Sequence, residues 1–253
     1  MKRLQRRLKY ETESALDRIL EILFPPRCFV CDRLLDTLDI RAGRKIHRVC
    51  RGKLEPVKQP FCFHCGCPLP DEGAEYCSDC RRKHSCIEQG RALFVYRGTI
   101  LKSMYRFKYA NRRRYAAFLA EEAAARYGDW FKEKEIEVIV PVPMFRKKKR
   151  QRGYNQAELF ARKISEYTGI PCKSHMVRRI RNTLPQKELG DREREKNVKS
   201  AFQISDFVVQ YKKILIVDDI YTTGATVEAV AEVLHKAGVE QIYVLSACIG
   251  KGF

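Results

Sequence analysis

The chain has 253 residues, 45% of them hydrophobic and 32% charged, and its 50 Lys and Arg against 31 Asp and Glu give a formal net charge of +19. That length admits one large domain or two modest ones with a real core. The basic excess favours polyanionic partners: nucleic acid, an anionic membrane surface or phosphorylated ligands. The start, MKRLQRRLKYETES, is basic but runs into polar residues, so no secretory signal is expected. The longest apolar runs, around 138–145 and 214–217, are far too short to span a bilayer. A cytoplasmic location is therefore expected, and the 11 cysteines read first as metal ligands or free thiols rather than disulfides.

In chain order, Leu8, Ala15, Ile19, Ile22 and Leu23 stand at helical spacing and predict an amphipathic helix over 8–23, stopped by Phe24-Pro25-Pro26. Its simplest role is to pack on the rest of the fold. From Cys28 to Cys86 the composition changes: nine of the 11 cysteines lie here among Pro, Gly and charged residues. Such a segment cannot build a core from apolar side chains alone and needs cross-links.

Four ligand pairs follow one another at two-residue gaps: Cys28 and Cys31, His47 and Cys50, Cys62 and Cys65, Cys77 and Cys80. Such a gap lets one tight turn aim both side chains at the same ion, and two turns complete a tetrahedron at about 2.3 Å per sulfur. Two structural Zn2+ sites are expected, the first with three cysteines and one histidine, the second with four cysteines. Four protein ligands per ion leave no open position for catalysis. Consecutive and cross-braced pairings both fit the order. Cys67 or His64 could substitute for a ligand, His47 is the softest assignment, and Gly66 suits the cramped backbone of a knuckle. Cys86, Cys172 and Cys248 are expected as buried thiols. Zinc at both sites lowers the net charge from +19 to about +16.

Beyond Cys86 strand and helix alternate. Strands are expected at 93–96, 136–140, 214–217 and 242–247, and helices at 99–108, 113–126, 154–167 and 226–237. This alternation predicts an α/β fold with a mostly parallel sheet flanked by helices.

The most specific signal is VDDIYTTGAT at 217–226, where an apolar strand delivers two carboxylates to a Thr- and Gly-rich turn that opens a helix. Backbone N–H groups of that turn, with the positive end of the helix, form a phosphate cradle. Thr222, Thr223 and Thr226 add hydroxyls, Gly224 permits close approach, and Asp218 and Asp219 can accept hydrogen bonds from the diol of an attached ribose.

This segment resembles the phosphoribosyl pyrophosphate signature of type I phosphoribosyltransferases. Over nearly its full length the chain resembles the ComF family, through LFPPRCFVC (23–31), PFCFHCGCPL (60–69), VPVPMFRKKKRQRGYNQAELFA (140–161), Gln186 with EREKNVKSAF (193–202), and the loop itself. One departure is His47, where the family usually carries another cysteine. The resemblance implies an N-terminal basic helix (1–26), a double zinc ribbon (27–90) and a type I phosphoribosyltransferase-like domain (91–253). It implies that Asp218 and Asp219 hold ribose hydroxyls, and that Thr222, Thr223, Gly224, Ala225 and Thr226 hold the 5-phosphate. Val142 and Pro143 would then approach the pyrophosphate, with Mg2+ on pyrophosphate and ribose oxygens.

Basic clusters complete the picture. The run RKKKRQR, from Arg146 through Lys147, Lys148, Lys149 and Arg150 to Arg152, lies just after the expected pyrophosphate strand. There a mobile cationic flap could stabilise departing pyrophosphate or track a nucleic-acid backbone. A second cluster, Arg106, Lys108, Arg112, Arg113 and Arg114, interleaves with Tyr105, Phe107, Tyr109 and Tyr115; it fits an amphipathic helix burying the aromatics, or a platform for single strands. Arg178, Arg179 and Arg181 form a weaker third. The resemblance points to single-stranded DNA handled during natural transformation, beside a DNA-translocating helicase. The rival is an active phosphoribosyltransferase on an unidentified acceptor, unrelated to DNA uptake; no catalytic residue is evident from the sequence. A purely structural zinc adaptor is disfavoured by the intact ligand loop.

Overall fold

A computed structural model describes residues 25–71, 73–181, 201–205 and 210–250. The expected helix at 8–23, Gln186 and most of the 193–202 motif lie outside them. Four parallel strands form the central sheet: β1 (Ile87–Val95), β2 (Val138–Pro141), β5 (Lys213–Tyr221) and β6 (Gln241–Ile249), in the order β1-β6-β5-β2. An antiparallel pair, β3 (Val177–Arg179) and β4 (Phe202–Ile204), stands apart from it. Among the described residues the helices are α1 (Thr37–Arg41), α2 (Arg48–Arg51), α3 (Thr99–Tyr109), α4 (Tyr115–Glu133), α5 (Arg146–Arg152), α6 (Gln156–Thr168) and α7 (Ala225–Lys236).

The strands are near-continuous apolar runs because both faces of the sheet are covered. Leu215, Val217, Leu245 and Ala247 face one core, shared with Phe107, Phe118, Leu119 and Phe160 of α3, α4 and α6. Ile214, Ile216, Ile242 and Val244 face the other, shared with Val227, Val230 and Leu234 of α7 and with Val177 and Phe202 of β3 and β4. β1 begins at Ile87, six residues before the expected strand. Its first half is polar, with Glu88, Gln89 and Arg91, so the usual apolar signal is missing there.

The cysteine-rich segment divides its apolar residues between the two cores. Cys28, Phe29, Val30, Leu35, Ile46 and Leu54 join the first. The Phe29 ring lies 5.0 Å from Tyr115 and 4.6 Å from Phe118, centroid to centroid. Cys62, Cys65, Cys67, Leu69 and Cys80 join the second. Between them the chain runs along the open edge of β1: Val57 N–H donates to the Leu93 carbonyl at 3.0 Å, and Val95 N–H donates to Glu55 at 2.9 Å. The covering strip satisfies backbone groups that an exposed edge would leave open to other chains.

Several cations from the second basic cluster are used in this packing. Arg112 forks onto Asp32, with both nitrogens 2.8 Å from the carboxylate oxygens, and Tyr115 donates to the same carboxylate at 2.7 Å. Arg106 donates to the Val30 carbonyl at 3.2 Å. A bidentate pair of this kind is a structural clasp. Arg112 is thus committed to the fold, whereas Arg113 and Arg114 are exposed. The aromatics of the cluster also divide: Phe107 and Tyr115 are buried, while Tyr105 and Tyr109 are 64% and 62% exposed.

Candidate functional site

Two groups of potential metal ligands assemble, each with its donor atoms within 4.8 Å of one another. The first is Cys28, Cys31, His47 and Cys50, as the spacing predicts. His47 Nδ1 lies 3.4 Å from the Cys31 sulfur, while Nε2–H donates to the Leu34 carbonyl at 3.0 Å. That outer hydrogen bond fixes the tautomer whose free Nδ1 faces the thiols, the arrangement usual for metal-binding imidazoles. The donor set therefore fits zinc.

The second group differs from the four-cysteine set expected from the pairs. The tight quartet is Cys62, Cys65, Cys67 and Cys77. Cys80 packs against the sulfurs of Cys62 and Cys65, so five thiols gather at this knuckle. The reason is the turn at 62–67, where Cys62 N–H donates to the Cys67 carbonyl and Gly66 N–H to the Cys62 carbonyl, both at 2.8 Å. Folding back in this way brings the Cys67 thiol beside its neighbours. Gly66 has φ +75°, and a β-carbon there would fall 2.9 Å from the Ala92 nitrogen, so the turn lies flat on β1. Among the described residues the two groups draw on consecutive stretches, 28–50 and 62–77, rather than on interleaved ones. His64 takes no part in the quartet; its Nε2 lies 2.8 Å from Glu228 Oε1. Cys248 is buried, and Cys86 and Cys172 are partly so.

At the end of β5 stand Asp218 and Asp219. Asp219 N–H donates to Asp218 Oδ1 at 2.8 Å, and Lys108 at the end of α3 reaches Asp219 Oδ2 at 3.1 Å. Burial, then the neighbouring charge of Asp219, push the Asp218 carboxyl up to about 8, against the pull of Lys108. Burial acts to lower the Lys108 ammonium, but Asp219 and Asp218 together hold it above its ordinary value. Lys108 was visible in the sequence only as one cation of a cluster; nothing in its spacing marked it as the partner of Asp219.

The turn after β5 carries exposed Thr222 and Thr223, then Gly224 at φ +80° as the residue before α7. Ala225 N–H lies 3.4 Å from Thr223 Oγ1, and Thr226 follows in the first helical turn. A β-carbon at Gly224 would fall 2.1 Å from the Tyr221 hydroxyl, so glycine is required by both conformation and space. The open N–H groups of such a turn and helix start are suited to a phosphate.

The expected pyrophosphate strand ends beside Val217, just before the acidic doublet. Val142 N–H donates to the Val217 carbonyl at 2.9 Å, and Val142 and Pro143 are both buried. The motif Tyr154-Asn155-Gln156 joins this loop to α3: the Asn155 amide donates to the Val142 carbonyl at 2.9 Å, the Tyr154 hydroxyl donates to the Phe107 carbonyl, and Gln156 lies 3.5 Å from the Phe107 and Lys108 carbonyls. These bonds hold the end of α3 where Lys108 can meet Asp219.

The basic run forms helix α5, closed by Gly153 in the left-handed conformation, where a loop was expected. Lys149 pairs with Glu158 at 2.7 Å, and the Arg152 guanidinium lies 4.8 Å over the Tyr109 ring. Arg146, Lys147, Lys148 and Arg150 are exposed. Although Lys148 is exposed overall, partial desolvation lowers its ammonium, helped by the nearby charges of Arg179 and Arg152. Burial lowers the Arg179 guanidinium of β3, against the nearby charge of Asp218. Arg179 had stood in the least informative cluster of the sequence, because its approach depends on a turn of the chain far from β5.

A zinc-ribbon segment joined to a parallel α/β domain with an acidic strand end and a Thr- and Gly-rich turn before a helix defines a phosphoribosyltransferase-like protein. Family models agree: a double zinc ribbon domain matches residues 19–81 and a phosphoribosyl transferase domain matches residues 137–250. Competence protein F of Haemophilus influenzae is 30% identical over 202 residues, covering 78% of this chain and 88% of that protein. The chain belongs to the ComF family. DNA utilization protein YhgH of Salmonella typhimurium is 29% identical, over 74% of this chain and 83% of its own, and competence protein ComFC of Bacillus subtilis is 24% identical, over 79% and 81%. A purine phosphoribosyltransferase structure from Pyrococcus horikoshii aligns over 53% of this chain and 84% of its own, at 17% identity and a TM-score of 0.34. No helix among the described residues is long and apolar enough to cross a membrane.

Two outcomes are expected from this geometry. Thiol modification of the purified chain should release zinc at two equivalents, one for each ligand group. Cys67→Ser should lose one of them while Cys80→Ser keeps both; the reverse pattern would restore the evenly spaced pairs as the ligands. The second concerns Asp218, whose carboxyl titrates near 8 in the fold and about 3.9 when unfolded. The folded chain therefore holds an extra proton between those values, and stability from this group, complete below about pH 4, is lost as pH rises through 8. In ligand-free protein Asp218→Asn should flatten the fall in Tm between pH 5 and pH 9 and raise Tm at the alkaline end by roughly 2–4 °C, equivalent to about 1 kcal/mol. An unchanged pH slope in the variant would show that another group carries it.

Proposed function

We propose that this ComF-family chain binds phosphoribosyl pyrophosphate, or a related ribose-5-phosphate ligand, with Mg2+, and that it handles single-stranded DNA in natural transformation. The observation that carries the first part is the placement of Asp218 and Asp219 at the end of β5, directly before the Thr222–Thr226 turn and the start of α7. In this reading the two carboxylates accept hydrogen bonds from the ribose hydroxyls, and Thr222, Thr223, Gly224, Ala225 and Thr226 hold the 5-phosphate. Pyrophosphate lies toward Val142 and Pro143, with Arg146, Arg150 and Arg152 on its outer side. Mg2+ rides on ligand oxygens, since it keeps several waters and takes few protein ligands. Lys108 meets the charge of Asp219 in the free chain and shares that carboxylate with the diol in the complex.

The DNA-handling part draws on the printed names of the relatives, competence proteins and DNA utilization proteins. It is supported by the exposed tyrosines of α3, whose rings lie 5.0 Å apart, beside Arg152. Exposed aromatic pairs flanked by cations suit the stacking of bases, worth about 1–3 kcal/mol each. Lys147, Lys148, Arg113 and Arg114 are the accessible phosphate contacts in this reading; Lys149 is held by Glu158, and Arg112 is excluded by its clasp on Asp32. A cytoplasmic location and a DNA-translocating helicase partner belong to the same reading. The rival, phosphoribosyl transfer to an acceptor outside DNA uptake, shares the phosphosugar site and would add pyrophosphate release.

Calorimetric titration with phosphoribosyl pyrophosphate and Mg2+ should give saturable binding, weakened at least about tenfold, or 1.4 kcal/mol, by Asp218→Asn or Asp219→Asn. Equal affinity in wild type and both variants would remove the acidic pair from the site. For single-stranded DNA, log affinity against log salt should fall with a slope of several units, and Lys147→Ala with Lys148→Ala should reduce that slope by about 1.4. A flat response would count against the basic helix as a nucleic-acid contact.

A further inference from the structure

The cysteine-rich segment grips the start of α7 through bonds that neither the metal groups nor the acidic pair require. His64, buried and adjacent to Cys65, sets its Nε2 2.8 Å from Glu228 Oε1. Ser85 donates to the other oxygen of the same carboxylate at 2.6 Å. Lys83 donates to the carbonyl of Thr223, inside the phosphate turn, at 2.8 Å. Glu228 lies in the first turn of α7, and its own N–H donates to the Gly224 carbonyl at 2.9 Å. The second thiol knuckle and the phosphate turn are therefore two ends of one bonded unit. Its anchors on the ribbon side are the neighbour of Cys65 and the short stretch following Cys80.

The position of Glu228 matters because a phosphate at this turn is recognised by N–H groups whose directions are set by the helix start. An acidic side chain in the first turn is favoured by the helix dipole, but an exposed one is free to move. Here each carboxylate oxygen has its own partner, so the first turn is held from outside the helix. A knuckle without its cross-links loosens His64, Lys83 and Ser85 together, since the few apolar side chains it adds to the second core are mostly the thiols themselves.

We propose that Glu228 is a positioning residue: clamped by His64 and Ser85, it passes the closed state of the second thiol knuckle to the backbone amides of 222–226, so that phosphosugar affinity depends on that knuckle being closed. This rests on the phosphosugar reading of the turn. The test uses full-length, zinc-loaded protein, with phosphoribosyl pyrophosphate and Mg2+ as the probe. Kd, zinc content and hydrogen exchange over 221–228 are measured for wild type, Glu228→Ala, Glu228→Gln, His64→Ala and the His64→Ala/Glu228→Ala double variant. Glu228→Ala should weaken binding at least about tenfold and speed exchange at 222–226, with both zinc ions retained. Glu228→Gln, which keeps an acceptor for Ser85, should recover part of the affinity, and the double variant should be no weaker than the worse single one, as for residues acting as a unit. Wild-type affinity or wild-type exchange in Glu228→Ala would sink the clamp while leaving the phosphosugar site intact. Loss of zinc from Glu228→Ala would also overturn it, by making Glu228 a support of the knuckle rather than of the turn. Should that variant fail to fold, Ser85→Ala and His64→Ala carry the same comparison. A wild-type chain that does not bind the probe overturns both readings together.

Discussion

The open edge of β1 is the constraint around which this molecule is organised. A parallel sheet covered on both faces still exposes a row of backbone donors and acceptors at its outer strand, and here residues 55–57 run along that row. The strip has no helix of its own to hold it. It is tied at either end by ligand groups whose residues are shared between two different cores, Cys28 and Cys50 in one, Cys62 and Cys65 in the other. Metal at the two groups would therefore do more than fold a small ribbon: it would fasten one knuckle to each face of the sheet and draw the covering strip tight between them.

The same arrangement explains why the acidic strand end is so closely supported. β5 lies inside the sheet between β6 and β2, so its carboxyl end is positioned by neighbours on both sides. On one face, Tyr154, Asn155 and Gln156 tie the loop after β2 to the end of α3 and bring Lys108 to Asp219. On the other, Glu228 is gripped from the cysteine-rich segment. Two adjacent carboxylates repel each other and resist burial, and the raised Asp218 carboxyl records that conflict. Holding such a pair in place requires rigid surroundings, because relaxation would separate the charges.

Much of this was legible in the chain. The apolar runs at 136–140, 214–217 and 242–247 stand in the sheet as β2, β5 and β6, and the first ligand set follows directly from its spacing. The acidic doublet before a Thr- and Gly-rich turn was recognisable because its chemistry is local. What escaped were mainly features decided by distant parts of the chain. The early half of β1 is polar and becomes a strand only because β6 and the second knuckle bracket it. Cys67, which the sequence admitted only as a substitute ligand, enters the tight quartet in place of Cys80 through the local turn at 62–67. Arg112 and Asp32, or His64 and Glu228, are separated by 80 and 164 residues, and no periodicity links them.

Charge gives the last connection. A formal excess of +19 suggests a uniformly basic coat, yet many of the cations have definite partners. Arg112 and Arg106 serve the first knuckle, Lys149 serves Glu158, and Lys108 serves Asp219. Near the acidic pair a second cation is in range: Arg179 feels Asp218, as Lys108 feels both carboxyls. Two carboxylates alone would repel a polyphosphate, so a site built on them needs nearby cations for the phosphates while the acids serve the sugar. On the proposed reading Lys108 and Arg179, which both feel the acidic pair, would begin to supply those cations. The cationic side continues through Arg152 to the exposed tyrosines of α3. On the proposed reading, a nucleic-acid backbone following that surface would approach the same cations as the pyrophosphate, and the two ligands would then influence each other's binding without any change in the fold.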